Sequence, residues 1–104
     1  MAEKEPTFAT AVTHLRRDLG SEAFVEVPYW DGDRIAIGLA RPDGLRVLAY
    51  ILWKPDSGMF YVECELPPKP DDDDDALYAV AWRGDDLDYP SMRTAVERHL
   101  TPPR

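Results

Sequence analysis

The spacing of apolar residues predicts a helix near each end of the chain. The first apolar stripe recurs at positions i, i+4, i+7 and i+11 and consists of Phe8, Val12, Leu15 and Leu19. This spacing predicts an amphipathic helix that begins at Pro6 or Thr7 and ends before Gly20. A second stripe at helical spacing consists of Met92, Val96 and Leu100. It predicts a C-terminal helix with Ser91 as its N-cap and the two prolines at 102–103 as its end.

Between the two helices the apolar residues alternate with a period of two, which is typical of strands. The predicted strands span residues 23–29, 34–40, 45–53, 59–66 and 76–82. Clusters of Asp, Gly and Pro separate the first four of them, and a longer Pro- and Asp-rich loop precedes the fifth. Because parallel neighbours need long crossovers, the short connections favour antiparallel pairing. The sequence therefore predicts an α+β two-layer sandwich: an N-terminal helix, an antiparallel meander sheet of about five strands and a C-terminal helix.

The length of 104 residues favours one domain over residues 1–104, because two separate cores need more chain. Within it we expect a flexible N-terminus at residues 1–5 and an acidic Pro/Asp loop at residues 67–75. The central strand, residues 45–53, is apolar on both faces, with Ile51 on one and Tyr50 on the other. If both helices cover one face of the sheet, the other face keeps apolar side chains and would be a partner site.

The acidic side chains are concentrated in one part of the chain. The protein has 20 acidic and 12 basic side chains, for a formal net charge of −8. Residues 63–90 carry ten acids against two bases and so account for −8, whereas residues 1–62 contribute −2 and residues 91–104 contribute +2. This balance disfavours nucleic acid and anionic membranes as partners, because both are polyanions. It favours a basic protein.

The run of five aspartates, residues 71–75, admits three interpretations. It is a solvated loop kept soluble by its own repulsion, a docking surface for a basic partner, or a site for a divalent cation. The cation is the weakest of the three, because the run is unbroken and lacks the Asp-x-Asp-x-Asp-Gly pattern with a downstream Glu.

Residues that could carry catalysis are few. His14 and His99 both fall on predicted helices, and the single cysteine, Cys64, alternates with apolar residues and is expected to be a core thiol. One cysteine excludes an intramolecular disulfide and a thiolate zinc site, and the glycines form no phosphate-binding loop. The sequence therefore predicts no enzyme, no cofactor and no metal. Without a signal peptide at residues 1–5 or a long apolar run, we expect a cytoplasmic protein.

Aromatic residues beside acidic ones are the better indication of function, since Tyr and Trp are enriched where proteins bind one another. An acidic rim around aromatic anchors suits the capture of a basic active-site cleft. The predicted partner-binding residues are Glu63, Glu65, Asp71, Asp72, Asp73, Asp74, Asp75, Asp85, Asp86, Asp88, Trp30, Tyr61 and Tyr89.

The C-terminal segment resembles a known family. Residues 88–103 read Asp-Tyr-Pro-Ser-Met-Arg-Thr-Ala-Val-Glu-Arg-His-Leu-Thr-Pro-Pro. This segment is similar to the tail of some bacterial polymorphic-toxin immunity proteins, small acidic α+β domains with a final helix of the type Ala-Val-x-x-x-aromatic/Leu followed by Thr-Gly-x-x-Pro. Here Thr101-Pro102 stands where Thr-Gly is expected, and the closing tryptophan is absent. The resemblance implies a protein that plugs the active site of a partner toxin, and it assigns no individual binding residue.

These observations predict a non-enzymatic acidic protein that inhibits or shields a basic partner, with an immunity protein as the most specific form. Two alternatives remain open. A type III-like secretion chaperone or adaptor would also be small and acidic, as an obligate dimer with an apolar groove for an extended peptide. A phage-type DNA mimic would instead inhibit a nuclease or a host defence complex. The sequence leaves the oligomeric state open.

Overall fold

The computed structural model describes residues 4–30, 32–66 and 79–101, and it confirms the predicted helix–sheet–helix order. The elements are α1 (Pro6–Leu19), β1 (Val25–Glu26), a 3-10 turn (Pro28–Trp30), β2 (Ala36–Arg41), β3 (Gly44–Lys54), β4 (Met59–Leu66), β5 (Ala79–Leu87) and α2 (Tyr89–Leu100). The five strands pair in chain order, and every pairing is antiparallel. No helix in the described part of the chain is long and apolar enough to cross a membrane.

Capping residues fix both ends of helix α1. The Glu5 carboxylate accepts hydrogen bonds from the backbone N–H groups of Thr7 and Phe8, at 2.9 and 3.1 Å, so it acts as the N-cap. Pro6 stands in the first turn, where its missing N–H costs nothing. Gly20 ends the helix with φ of 105°, a conformation that glycine adopts readily. These signals explain why the predicted helix has the observed bounds.

Both helices lie on the same face of the sheet. The core between them contains the predicted stripes of α1 and α2 together with alternate residues of the three central strands: Phe8, Val12, Leu15, Met92, Val96, Leu100, Ile37, Leu39, Ala49, Ile51, Trp53, Phe60, Val62 and Cys64. Because side chains alternate across a strand, the intervening residues face away from both helices. The predicted two-layer arrangement is therefore confirmed, and within residues 4–30, 32–66 and 79–101 both helices lie on one face of the sheet.

Several predicted strand boundaries differ from the observed ones, most of all in the first and fifth strands. The first strand is limited to Val25–Glu26, because Pro28, which lacks an N–H, opens the 3-10 turn. The fifth continues to Leu87 instead of ending at residue 82, and Asp86, with φ of 52°, accommodates an irregularity in its pairing with β4.

The start of the second helix also differs from the prediction. Helix α2 begins at Tyr89, and its N-cap is Asp88, whose carboxylate accepts from the Ser91 N–H at 2.9 Å. Ser91 therefore lies inside the helix instead of capping it.

Candidate functional site

The face of the sheet turned away from both helices, which we call the open face, carries Tyr50, Tyr61, Glu63, Glu65 and Arg83. Ala36, Ala40 and Leu48 lie on the same face but are buried, so only part of it is accessible. Tyr50 belongs to β3, between the core residues at 49 and 51. The two glutamates and Tyr61 alternate with the core residues of β4, and Arg83 of β5 lies opposite Glu63 in the strand register. The simple alternation of these strands therefore places aromatic and charged side chains on one surface.

Trp30 joins this surface from outside the sheet. The 3-10 turn places the indole over Gly38, so closely that a Cβ at Gly38 would lie 2.2 Å from a ring carbon. Gly38 pairs with Tyr50 in the register of β2 and β3, and the Trp30 and Tyr50 rings are 5.3 Å apart between centroids. Tyr61 follows at 6.3 Å from Tyr50. Three aromatic rings thus form a row across β2, β3 and β4, each ring partly exposed.

Lys4 holds the segment that presents the indole. Its ammonium group donates to the backbone carbonyls of Trp30 and Ala36, at 2.8 and 2.6 Å, and also to that of Asp33. These charge-assisted hydrogen bonds tie the chain before α1 to both ends of the loop that follows the 3-10 turn. Lys4 therefore supports the position of Trp30 without belonging to the row.

The open face is electrostatically negative at the end of the aromatic row. The Tyr61 hydroxyl donates to the Glu63 carboxylate at 2.8 Å, and this bond is the main cause that raises the pKa of Tyr61. Burial raises the pKa of Tyr50, and the charges of Asp33 and Glu63 raise it further. Burial, together with the neighbouring charge of Glu63, raises the pKa of Glu65. Carboxylates therefore act on the aromatic hydroxyls and on each other.

Glu65 differs from Glu63 in its surroundings. Glu63 accepts the Tyr61 hydroxyl and faces Arg83 across the strand pair. No described side chain donates a hydrogen bond to the Glu65 carboxylate, although it is partly buried. Its backbone carbonyl is occupied, because the His99 Nε2 donates to it at 2.9 Å. Of these two carboxylates, only that of Glu63 accepts a hydrogen bond from a side chain in the described part of the chain.

The structure brings together four of the predicted partner-binding residues: Trp30, Tyr61, Glu63 and Glu65 all lie on the open face. Asp85 and Asp86 both accept from the Lys54 Nζ, at 2.9 and 2.8 Å, so one lysine offsets half of their combined charge. The hydrogen bond to Asp86, followed by that to Asp85, raises the pKa of Lys54. The hydrogen bond from Lys54 in turn lowers the pKa of Asp85.

Asp88 and Tyr89 lie on the helical side of the molecule. Asp88 caps α2, and the Tyr89 hydroxyl donates to Asp18 of α1 at 2.6 Å, so both serve contacts on the helical side of the molecule. The run Asp71, Asp72, Asp73, Asp74 and Asp75 falls outside the described residues, as do residues 1–3 of the predicted N-terminal segment. Of the predicted acidic residues, Glu63 and Glu65 lie on the open face with the aromatic rings.

The sequence interpretation missed Tyr50, which lies at the centre of the aromatic row. Its alternation with Ile51 places it on the second face of β3, but nothing local indicates that Gly38 lies opposite it and leaves space for an indole. The expectation of a core thiol is confirmed, because Cys64 is buried and burial raises its pKa to about 11. Within the described ranges, no group of three or more His, Cys, Asp or Glu side chains could hold a metal ion.

Replacing Glu65 by glutamine is expected to stabilise the fold at pH 7, by about 1 kcal/mol or less at this partly exposed position. Because the pKa of Glu65 is raised in the folded state, its ionisation opposes folding at pH values above that pKa. Below the ordinary glutamate pKa of about 4.3, both states bind the proton and the penalty disappears.

Urea unfolding of wild type and Glu65→Gln between pH 3.5 and 8 measures this effect. The difference in unfolding free energy should shrink as the pH falls. Asp56→Asn, in the exposed turn after β3, changes the net charge equally and should show no comparable trend. A Glu65→Gln variant that is less stable than wild type at pH 7 would contradict the argument.

No protein-family model, no curated protein and no solved structure matches this chain, so the case for its function rests on its own residues.

Proposed function

We propose that this chain is a non-enzymatic binding protein that holds a basic protein partner on its open face. The observation that carries this proposal is the row of three aromatic rings that ends at two carboxylates. An arginine side chain can stack its planar guanidinium on an aromatic ring and donate paired hydrogen bonds to a carboxylate. Trp30, Tyr50 and Tyr61 supply the rings, and Glu65 supplies a carboxylate that no described side chain engages.

Two further properties support a cationic ligand over a neutral one. A partner cation next to Glu65 would relieve the unfavourable burial of its charge, which is the reverse of what an apolar ligand would do. The net charge of −8 would also attract a basic protein over a distance and increase its rate of association.

An immunity protein is the specific form that this chemistry suits best. Enzymes that act on nucleic acids line their clefts with arginine and lysine in order to hold phosphates. A rigid sheet that carries aromatic rings and carboxylates can occupy such a cleft and block it. The C-terminal similarity to polymorphic-toxin immunity proteins agrees with this role. The toxin would be neutralised by occlusion of its active site.

The first test uses a fluorescein-labelled, capped peptide of six alternating Arg-Gly units as a model basic ligand at 0.15 M salt. We expect Glu65→Gln and Tyr50→Ala each to weaken its binding at least fivefold. Asp56→Asn alters the net charge as much as Glu65→Gln does and should weaken binding less than twofold. Equal losses for Glu65→Gln and Asp56→Asn would show that only overall charge matters, and the open face would then not be the site.

The second test addresses the immunity role. The product of the neighbouring open reading frame should be inhibited by wild-type protein at equimolar concentration. Glu65→Gln and Tyr50→Ala should inhibit it at least tenfold more weakly, whereas Asp56→Asn should inhibit it as wild type does. Inhibition that is indifferent to both open-face variants would remove this surface from the proposal.

A further inference from the structure

The two edges of the sheet differ in length and in what they expose. Strand β1 has only two residues, which leaves little edge for another strand to pair with. Strand β5 has nine residues, and within the described part of the chain no strand pairs with its outer side. Long unprotected edges present a row of backbone N–H and C=O groups that can accept a further strand. The β5 edge is therefore the longer free edge of the described sheet, and its regular part is Trp82–Gly84, between the two irregularities in its pairing with β4.

Apolar side chains flank this edge on both faces of the sheet. Val80 pairs with Glu65 and so lies on the open face, whereas Trp82 pairs with Cys64 and so lies on the helical face. Their exposed fractions are 48% and 46%, unusually high for large apolar residues in a strand. An added strand would place successive side chains against Val80 on one side and Trp82 on the other.

A groove continues this edge on the helical side. It lies between β5 and α2, has a volume of about 590 Å³, and is lined by Trp82, Leu87, Ala95, Arg98 and His99 among others. One end of the Trp82 ring rests on Gly84, where a Cβ would approach within 2.6 Å of a ring carbon. His99 is fixed by its hydrogen bond to the Glu65 carbonyl, next to the irregularity in the β4–β5 pairing. The groove therefore has an apolar floor and a polar rim on α2.

The charge of this rim is the reverse of the charge of the whole protein. Although the chain has 20 acidic residues, the described lining of the groove includes Arg98 and His99 and no carboxylate. A second cavity, of about 350 Å³ near the start of β3, is lined by Glu22, Asp43 and Glu97. Because opposite charges attract, the groove between β5 and α2 favours a ligand that carries an acidic group.

We propose that β5 and α2 form a binding site for an extended peptide segment of a partner protein. The segment adds to β5 as a further strand, places an apolar side chain in the groove beside Trp82, and places a carboxylate against Arg98. This site shares only Val80 with the open face and requires a different ligand chemistry, so it can be tested independently of the proposed function. A second copy of this chain is disfavoured as the occupant, because two chains of −8 repel each other.

The test uses fluorescein-labelled, capped octapeptides that alternate Thr with Val or Leu and carry one glutamate two positions from the central Leu. A matched peptide carries lysine instead of that glutamate. We expect the glutamate peptide to bind wild-type protein at least tenfold more tightly than the lysine peptide. Arg98→Glu should invert this preference. Arg17→Glu, the same charge change on the exposed side of α1, should leave it within twofold of wild type.

Peptide backbone methylation distinguishes strand addition from simple side-chain docking without changing the protein. Methylating alternate amides in one register should weaken binding at least tenfold, because those N–H groups face β5, whereas the other register should have little effect. Equal effects of the two registers would overturn the proposal, as would an equal affinity of the glutamate and lysine peptides.

Protein variants separate this site from the open face and from self-association. Trp82→Ala should lower the affinity for the glutamate peptide at least tenfold and leave the affinity for the Arg-Gly peptide within twofold of wild type. Tyr50→Ala should lower the affinity for the Arg-Gly peptide and leave that for the glutamate peptide within twofold. Light scattering should show a monomer throughout. A concentration-dependent dimer that Trp82→Ala abolishes would identify a second copy as the occupant and would overturn the assignment to a partner peptide.

Discussion

Replacing Gly38 by alanine is expected to displace the indole of Trp30 and to destabilise the protein by about 1–3 kcal/mol, the usual cost of overpacking. The added Cβ would lie 2.2 and 2.3 Å from two carbons of the ring, which is far inside van der Waals contact. Gly38 lies within β2, so the alanine backbone itself is not strained there, and the whole effect should come from this contact. Urea unfolding and the NMR resonance of the Trp30 indole N–H measure the two consequences.

The same substitution should weaken binding of the Arg-Gly peptide at least fivefold, because it removes one ring of the row. Gly32→Ala is the matched control, since a Cβ at Gly32 meets no atom within 4 Å. The control should change stability by less than about 0.5 kcal/mol. Unchanged stability and an unchanged indole resonance in Gly38→Ala would show that the ring does not occupy the position described.

A double variant separates steric conflict from the loss of a binding group. In Trp30→Ala the Gly38→Ala substitution should cost much less than it does in wild type, because the ring it collides with is gone. Peptide binding should nevertheless remain weak in the double variant. Recovery of stability without recovery of binding would assign Trp30 to partner recognition as well as to packing.

The main features of the fold could be predicted because each depends on local pattern. The stripe of α1, the alternation of β4 and the turn residues between strands require only neighbouring positions. The short connections then limit the sheet to antiparallel neighbours. Errors occurred where one residue outweighed the pattern. Pro28 ended β1 early, and Asp88 capped α2 in place of the predicted Ser91.

The candidate site was predictable only in part, because it depends on pairing across strands. Tyr61, Glu63 and Glu65 share a face by alternation alone, which the sequence shows directly. The contribution of Tyr50 requires the β2–β3 register that sets Gly38 opposite it, and no local signal specifies that register. Likewise, the ion pair between Lys54 and Asp85 joins residues that are 31 positions apart along the chain. Counting charges along the chain could not show that Asp85 and Asp86 pair with Lys54, whereas no described side chain donates a hydrogen bond to the Glu65 carboxylate.

Phe8→Ala is expected to be the most destabilising of these substitutions, with a loss of about 3–5 kcal/mol. The Phe8 side chain is fully buried, and its ring lies 6.5 Å from that of Phe60, so it joins the first turns of α1 to β4. Alanine would leave a cavity that the flanking core residues Leu15 and Val12 cannot fill without moving the helix. Since domains of this size are stable by only about 5–15 kcal/mol, the variant should lose a large share of its stability and unfold at a much lower urea concentration than wild type.

Trp82→Ala is the informative comparison for Phe8→Ala, because both changes remove a large aromatic side chain. Trp82 is 46% exposed and Phe8 is 0% exposed, so burial predicts a loss below about 1.5 kcal/mol for Trp82 and a much larger one for Phe8. Urea unfolding of the two variants under identical conditions tests this contrast. Equal losses would mean that Trp82 is needed for folding, and its exposure would then be no argument for a ligand. A small loss together with weakened peptide binding would mean that folding alone does not explain a tryptophan at the sheet edge.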